Sequence, residues 1–462
     1  GMGYAFVRGA LGRLVGEKVA WFGFWLALVG SIATAVVILM GEASVLYTFY
    51  PPLEAHPIFY IGATLLIIGS WIWGGVTIAS YVSWKRDHPG KPVPLVVHGM
   101  MVTVIIWFLA TAGLAAEVLG MLIPWSLGWV ETIDPVLART YFWWFGHPLV
   151  YFWLLPAYVV WYTVLPKVVG SRVFSDPLAR MVFVLFVLFS TPVGFHHQFS
   201  DPGISAGWKL AHTFTTYAVL YPSLVTAFTV IASLEVAGRL KGADGLFNWI
   251  AKLPWWKDPL FSSVALAMIT FAFGGFGGAI NAAYSMNTMV HNTAWIQGHF
   301  HLTVGTATAL TFMGATYWLL PRIAGRELKL VFFSRLQPWL WAVGMTLFSA
   351  SYHIAGIMGL PRRVYSASFF DEEIALRWMP LTKIGAVGGI LLFLSAMCYV
   401  AVAVTTWVSG RRTEEYRIEF AKAMQPVRTV GIWDRLGLWT VIAVILVIAA
   451  YAYPILHLVS ME

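Results

Sequence analysis

Of the twelve histidines, five form compact groups within three apolar segments, where a polar side chain is costly and is usually functional: His147, His196, His197, His299 and His301. The first segment is residues 142–162, FWWFGHPLVYFWLLPAYVVWY. His147 and Tyr151 are four residues apart there, so they lie one above the other on one helix face. Tyr158 and Tyr162 fall within about 60° of the same stripe, at about 100° per residue. Aromatic packing would explain Tyr158 or Tyr162 alone equally well, but it explains poorly a polar stripe that begins at a buried histidine.

Two adjacent histidines, His196 and His197, stand near the end of the second segment, STPVGFHHQFSDPG. Adjacent residues on a regular helix diverge by about 100°. Both rings can reach one metal only if the helix end is irregular, which Pro192 and Gly194 permit. Taken alone, such a pair near a membrane surface is more often structural. Together with His147 it could form a three-imidazole site, which suits copper, zinc or iron.

The third segment, VHNTAWIQGHFHLTVGTA, holds His299 and His301. Two residues on a helix differ by about 200° around its axis, so the two rings point to opposite sides. One helix could then hold a metal centre on each flank. Two merely structural histidines are a weaker explanation, because each would need its own buried partner.

The composition places these segments in a membrane. The 462 residues are 59% hydrophobic and 11% charged, with a mean hydropathy of +0.75, whereas ordinary soluble domains are roughly a quarter charged. A bilayer-spanning helix needs about 20 apolar residues. Eleven segments meet that length and predict an all-α integral membrane bundle: 19–41, 57–84, 93–123, 135–165, 178–199, 209–237, 259–281, 291–320, 336–358, 380–408 and 433–457.

The loops between these spans alternate in basic content. One set holds 23 of the 29 Lys and Arg residues, and the positive-inside rule puts that set in the cytoplasm. The net charge of +8 is therefore explained by topology rather than by nucleic-acid binding. We predict a cytoplasmic N-terminal segment, 1–18, and a single transmembrane domain, 19–457, in the plasma (inner) membrane of a prokaryote. The loop at 361–373 is predicted to lie outside. The lone Cys398 is predicted to be a packing residue.

Three motifs occur in order along the chain: GHPLVY, then FHH, then HNTAWIQGHFHL. Together they resemble subunit I of the haem–copper oxidases over most of the chain. The likeness is greatest to the B family, because Leu149 stands where A-family members usually carry a glutamate of a second proton channel. The resemblance implies a cytochrome c oxidase that reduces dioxygen to water at a haem–copper centre and translocates protons. The cofactors it implies are a high-spin haem, a low-spin haem and a copper ion.

The resemblance also implies a role for each motif residue. Tyr151 is the catalytic tyrosine, covalently linked to a copper ligand and supplying an electron and a proton. His299 ligates the high-spin haem and faces the copper, whereas His301 ligates the low-spin haem. The implied copper ligands are His147, His196 and His197.

Protons are expected to reach this centre from the cytoplasm. The fourth span runs inward from Tyr151, and its polar stripe ends about 16 Å away at about 1.5 Å per residue. By resemblance, a single K-type proton path is formed by Tyr158, Tyr162, Ser223 and Thr226. On the outer side, the residues that resemble the haem-propionate region are Arg362, Arg363, His291 and Asn287. The family often has an aspartate at the position of Asn287. His353 and His212 are expected to be structural.

One haem ligand has no counterpart in the sequence. In the family the second axial histidine of the low-spin haem lies on the second transmembrane helix, and this chain's first span resembles the family's third. His56, His88 and His98 lie in an outer loop, in a cytoplasmic loop and near a cytoplasmic helix end. We expect the ligand to come from another polypeptide or from a missing N-terminal segment. If cytochrome c is the electron donor, a copper-carrying subunit II is also implied, since one cysteine cannot form a dinuclear copper site.

Three other functions are weighed against this one. A nitric oxide reductase shares the histidine framework but lacks the linked tyrosine, so Tyr151 favours oxygen reduction. A quinol oxidase differs in its partner subunit. A channel or transporter with pore histidines fits poorly, because His299 and His301 point to opposite flanks of one helix.

Overall fold

The computed structural model describes residues 1–364, 373–413 and 417–460. These residues form helices and connecting turns, with isolated β-bridges but no β-sheet among them. The predicted outer loop at 361–373 lies outside the described residues from 365 to 372. The first nine helices are α1 (Met2–Leu11), α2 (Glu17–Leu39), α3 (Pro57–Asp87), α4 (Leu95–Glu117), α5 (Ile123–Ser126), α6 (Pro135–Thr163), α7 (Leu165–Val169), α8 (Asp176–Ser190) and α9 (Ala206–Ala218).

The second half of the chain continues the bundle. Its helices are α10 (Leu220–Leu240), α11 (Asn248–Ala251), α12 (Pro259–Ala282), α13 (Tyr284–Val290), α14 (Trp295–Leu302), α15 (Ala309–Ala324), α16 (Val331–Ile357), α17 (Glu373–Ser409) and α18 (Leu436–Val459). A π-helical stretch, Thr303–Thr308, joins α14 to α15, and another, Val118–Leu122, joins α4 to α5.

Nine helical segments in the described part of the chain are long and apolar enough to cross a membrane. They agree with nine of the eleven predicted spans. The other two predicted spans are also helical. One is α8, which has only 15 residues, and the other is α14 continued through the π stretch into α15. The full count of eleven spans stays a prediction.

Three of the predicted spans differ from the helices. The span at 178–199 ends as a helix at Ser190, and a 3₁₀ turn, Phe195–His197, follows after Pro192. The span at 209–237 is two helices that break at Val219. Pro222 lies in the first turn of the second helix, where its missing N–H is not needed. The span at 291–320 begins as a helix only at Trp295.

The N-terminal segment is part of the packed bundle. Phe6 and Val7 of α1 are fully buried. The Phe6 ring packs edge to face against Trp318, with centroids 6.4 Å apart, and against Phe420, at 5.5 Å. Residues 1–18 therefore contribute to the same core as the later helices, while the predicted domain boundary after residue 18 stays a prediction.

A buried arginine ties together the ends of three elements at the predicted cytoplasmic side. Arg180 of α8 donates to Asp176 Oδ1 at 2.8 Å and to Asp434 Oδ1, just before α18, at 2.6 Å. It also donates to the carbonyl of Val93, just before α4, at 2.7 Å. Its side chain is 3% exposed, so the guanidinium depends on these acceptors.

We predict that Arg180→Met lowers the stability of the bundle by about 3–5 kcal/mol, because it leaves buried carboxylates without a partner. The matched control is Arg239→Met, which removes an exposed pair with Glu235 worth about 0.3–0.5 kcal/mol. Thermal unfolding in detergent, followed by circular dichroism, measures both. Equal shifts in the unfolding temperatures of the two variants would contradict the stabilising role of Arg180.

Candidate metal centre

Three histidine side chains meet between α6 and the turn after α8. His147 comes from α6, and His196 and His197 come from the turn Phe195–His197. One ring nitrogen from each residue lies within 4.8 Å of the others. The His147 ring centroid is 4.5 Å from that of His196 and 5.7 Å from that of His197. The sequence separates these residues by about fifty positions, and the fold brings them together.

Local sequence features explain how each element reaches the site. Asp134 caps α6 by accepting from the N–H groups of Val136 and Leu137, at 2.6 and 3.1 Å. Pro148 directly follows His147 inside this helix and removes one helical N–H. On the other side, the end of α8 at Ser190 lets the chain turn, so that two adjacent histidines face the same space.

Each of the three rings has a different environment. His197 stacks face to face on Trp143, with centroids 3.7 Å apart and planes 7° apart. His196 Nδ1 lies 3.0 Å from the Thr216 hydroxyl. His147 Nε2 is buried and has no hydrogen-bond partner among the described residues. A buried polar atom without a partner is costly. The cluster of three imidazoles therefore fits a metal ion, and copper is among the ions that this donor set suits.

Tyr151 lies beside this cluster, one turn along α6 from His147. The two ring centroids are 5.2 Å apart and the planes are inclined by 59°. The Tyr151 ring also packs against Phe186 of α8, at 5.5 Å.

Hydroxyl groups continue from Tyr151 toward the predicted cytoplasmic side. The Tyr158 hydroxyl is buried without a hydrogen-bond partner among the described residues, and Ser223 of α10 is its polar neighbour. The Tyr162 hydroxyl donates to Thr226 Oγ1 at 2.9 Å. These four residues are the ones expected from the sequence, and α6 and α10 bring them to one interface.

Two further hydroxyls extend the same line, and the sequence reasoning missed them. Thr229 neighbours the Tyr162 hydroxyl, and Ser233 Oγ donates to the Thr229 carbonyl at 2.8 Å. Ser233 Oγ also accepts from the N–H of Phe174 at 2.9 Å. Their i, i+3 and i+7 spacing from Thr226 along α10 was the available signal.

His299 and His301 contact different neighbours of α14. His299 Nδ1 donates to the carbonyl of Gly274 on α12 at 2.9 Å. His301 Nδ1 donates to its own helix, at the Gln297 carbonyl, at 2.7 Å. The His301 ring lies 4.5 Å from Phe348 of α16. A carbonyl only accepts, so each Nδ1 carries the proton and each Nε2 keeps a free lone pair for iron.

The position of His299 matches a role beside the three-histidine cluster. It interacts electrostatically with His147, His196 and His197. Glycines let α12 pack closely against its ring. A Cβ added at Gly278 would lie 3.0 Å from Cε1 and 3.6 Å from Nε2 of His299. A side chain at Gly278 would therefore push the His299 ring out of its position.

Of the four residues expected at the haem propionates, Asn287 lies in α13 and His291 directly follows that helix, whereas Arg362 and Arg363 lie in the chain after α16. His291 Nδ1 lies 3.1 Å from Asn287 Oδ1. Arg363 donates to the Tyr47 hydroxyl at 3.3 Å. The Nε atoms of Arg362 and Arg363 are buried and have no hydrogen-bond partner among the described residues. Two such donors fit carboxylate groups.

Buried ionisable groups occur elsewhere that no motif predicted. Both carboxylate oxygens of Glu117, where α4 meets its π stretch, have no hydrogen-bond partner in the part of the chain that the structure describes. His98 Nδ1 lies 3.9 Å from Asp434 Oδ1, at the Arg180 cluster. Neither side chain touches the three-histidine cluster.

We predict that Gly278→Val weakens haem binding at His299 by roughly five- to hundredfold, since overpacking costs about 1–3 kcal/mol. Gly275→Val is the matched control, because a Cβ at Gly275 meets nothing within 4 Å. The carbon monoxide difference spectrum of each purified variant measures the high-spin haem. Equal amounts of carbon-monoxide-binding haem in both variants would contradict the assignment of His299 as the ligand of that haem.

Comparisons with known proteins show which family this chain resembles. A family model described as cytochrome c and quinol oxidase polypeptide I matches residues 1–391. Cytochrome c oxidase subunit 1 of Thermus thermophilus is 43% identical over 446 residues, which cover 95% of this chain and 79% of that protein. The Corynebacterium efficiens subunit 1 is 28% identical over 411 residues, which cover 84% and 65%.

A solved structure resembles the whole fold. It is a cryo-EM structure of a heme-copper terminal oxidase dimer, with a TM-score of 0.93 and 39% sequence identity. The match covers 98% of this chain and 80% of the other. Proteins of this family bind haems and copper, for which the histidines above provide donors. The chain belongs to the family of cytochrome c oxidase subunit I, the haem–copper terminal oxidases.

Proposed function

We propose that this chain is the catalytic subunit I of a terminal oxidase that reduces dioxygen to water. The observation that carries the proposal is the buried group of His147, His196 and His197 with Tyr151 at its edge. His299 lies on the facing helix, and its Nδ1–H is committed to the Gly274 carbonyl. Three imidazoles, a tyrosine and a fourth histidine in one buried space form the donor set of a haem–copper centre.

The residues divide between three bound groups. Copper is held by His147, His196 and His197, and the high-spin haem by His299. His301, on the opposite flank of α14, holds the low-spin haem. When bound, these groups would supply the redox chemistry that transfers electrons to dioxygen.

Tyr151 is the catalytic side chain of the protein itself. By resemblance it would be linked covalently to His147, a coupling that removes one hydrogen from each ring with dioxygen as the two-electron oxidant. It would then supply one electron and one proton to the reduction of dioxygen. The side chain lies one helical turn from its ring partner, and Phe186 packs against its other side. This packing holds the phenol at the cluster rather than in lipid.

Protons are delivered to Tyr151 by one K-type path along α6 and α10. Hydroxyl groups both donate and accept, so with intervening water they can pass a proton along a line. The line contains Tyr158, Ser223, Tyr162 and Thr226, and the Tyr162–Thr226 hydrogen bond is its best-defined step. Thr229 and Ser233 extend it toward the loop at Phe174.

The outer side holds the haem carboxylates. Arg362 and Arg363 supply positive charge and unpaired N–H groups to the propionates. His291 and Asn287 lie nearby, hydrogen bonded to each other, and act in the same region. Asn287 is not ionisable, so it cannot itself load a proton.

The chain is a B-family member in the plasma membrane of a prokaryote, with its N-terminus in the cytoplasm. Leu149, in GHPLVY, supports that family, because it leaves no glutamate for a second channel. The basic loops support the orientation. Eleven spans cross the bilayer, two fewer than is typical of the B family.

Partner chains complete the route of the electrons. The only aromatic neighbours of the His301 ring among the described residues are Phe300 and Phe348. A residue of another polypeptide, or of a further N-terminal segment, supplies the second axial ligand. A copper-carrying subunit II passes electrons in from cytochrome c.

We predict that Tyr151→Phe slows dioxygen consumption by roughly 10²–10⁴-fold, the range that a positioned proton donor contributes. Oxygen uptake by the purified complex, with reduced cytochrome c as donor, measures the rate. Copper and haem contents are measured alongside and stay near those of the parent enzyme. Near-normal turnover in a variant with full metal content would exclude the proposed role.

We predict that Tyr162→Phe slows proton uptake from the inner side by about tenfold, because it removes a relay hydroxyl and a hydrogen bond worth about 1–1.5 kcal/mol. Tyr317→Phe is the matched control. Tyr317 is equally buried and donates to Gln337 Oε1 at 3.1 Å, away from the path. Single-turnover proton uptake, read with a pH-sensitive dye, distinguishes them. Equally slow proton uptake in both variants would contradict a proton path through Tyr162.

A further inference from the structure

Three polar residues of α9 contact the turn that carries His196 and His197. They are Lys209, His212 and Thr216, at positions i, i+3 and i+7, which share one helix face. This turn is the longer segment from Gly194 to Asp201, which contains the 3₁₀ turn Phe195–His197. The sequence analysis left His212 without a functional role, and none of the three belongs to a motif.

Lys209 holds the far end of the turn. Its side chain is 9% exposed, and Nζ donates to the carbonyls of Phe199 and Asp201, both at 2.8 Å. A buried ammonium group requires acceptors. The two carbonyls are therefore drawn to one point, which closes the chain after His197.

His212 holds the near end of the turn. Its Nδ1 accepts from the N–H groups of Gly194 and Phe195, at 3.1 and 3.3 Å. Nδ1 therefore carries no proton, and the Nε2–H points to the Ala450 carbonyl on α18, at 3.4 Å. The ring also stacks on Phe195, with centroids 4.0 Å apart. Because α8 has already ended, these two N–H groups have no helical acceptor, and His212 supplies one.

Thr216 contacts His196 directly and determines which of its nitrogens is protonated. The single proton of the Thr216 hydroxyl is donated to the His212 carbonyl, at 2.6 Å. The contact with His196 Nδ1, at 3.0 Å, must then be an N–H that donates to Thr216 Oγ1. His196 is thus held as the Nδ1–H tautomer, and Nε2 keeps the lone pair that binds a metal.

We propose that Lys209, His212 and Thr216 are positioning residues for the metal site, which hold the turn in the shape that directs His196 Nε2 to copper. The inference rests on the proposed function, in which this turn carries two copper ligands. Hydrogen bonds to metal-ligating histidines fix tautomer and ring orientation, and their loss typically costs 10–100-fold in metal affinity or activity.

The test uses Thr216→Val in the purified holoenzyme complex. Copper is expected to leave for a chelator roughly 10–100-fold faster than from the parent enzyme. The infrared stretch of carbon monoxide photodissociated onto copper should shift as well, because it reports the geometry of that ligand set. Thr216→Ser keeps the hydroxyl and should restore both readouts.

Thr215→Val is the matched control. Thr215 bonds only to its own helix, at the carbonyls of Ala211 and His212, both at 3.2 Å. It should leave copper release and the infrared band unchanged. A Thr216→Val enzyme that matches this control in both readouts would overturn the proposal.

A second pair of variants tests His212 independently of Thr216. His212→Asn keeps an acceptor near the Gly194 and Phe195 N–H groups, whereas His212→Leu removes it. Copper should be retained better by the asparagine variant. Equal copper retention in the two variants would count against the positioning role. A parent enzyme that contains haem but no copper would contradict the proposed function itself. Unchanged copper retention in variants of a copper-containing enzyme would contradict only the positioning role.

Discussion

The approach of three imidazole rings inside an apolar bundle is the contact on which the rest of this structure depends. His147, His196 and His197 place their nitrogens within 4.8 Å of one another, in a region where an unpaired polar atom costs several kcal/mol. A metal ion relieves that cost only if the rings are held still. The elements around the site supply this restraint: Trp143 stacks on one ring, Thr216 bonds to another, and α6 carries the third.

The same constraint explains the irregular backbone near the site. A straight helix cannot aim adjacent histidines at one point, so α8 ends and a short turn presents them. That turn leaves N–H groups and carbonyls without helical partners, and His212 and Lys209 provide partners for them. On the other side, α14 stays helical through His299 and His301, so their opposite directions separate the two proposed haem sites. The glycines of α12 let that helix pack closely against the His299 ring.

The features of the fold and the site that could be predicted are those that follow from periodic patterns in the sequence. Long apolar segments predict the spans, and the spacing of His147 and Tyr151 predicts their shared face. Pro192 and Gly194 predict an irregular end to α8, although the helix stops earlier than expected. The resemblance in the motifs supplied the roles, which no spacing could assign.

Other features could not be derived from the sequence, because they depend on side chains that are distant along the chain. Nothing in residues 1–18 indicated that Phe6 is fully buried, and the break at Val219 reflects local geometry that hydropathy ignores. The contact of Thr216 with His196 joins positions twenty residues apart through a turn of unknown shape. The Arg180 cluster likewise joins three helix ends that only the folded bundle brings together.

The proposed covalent bond between His147 and Tyr151 can be tested directly by peptide mass. Trypsin should release residues 140–167 of the active, copper-loaded enzyme as one peptide that contains both side chains. We expect a peptide mass lower by two hydrogen atoms, with no backbone fragments from cleavage between the two residues. An unmodified mass for this peptide from fully active enzyme would contradict it.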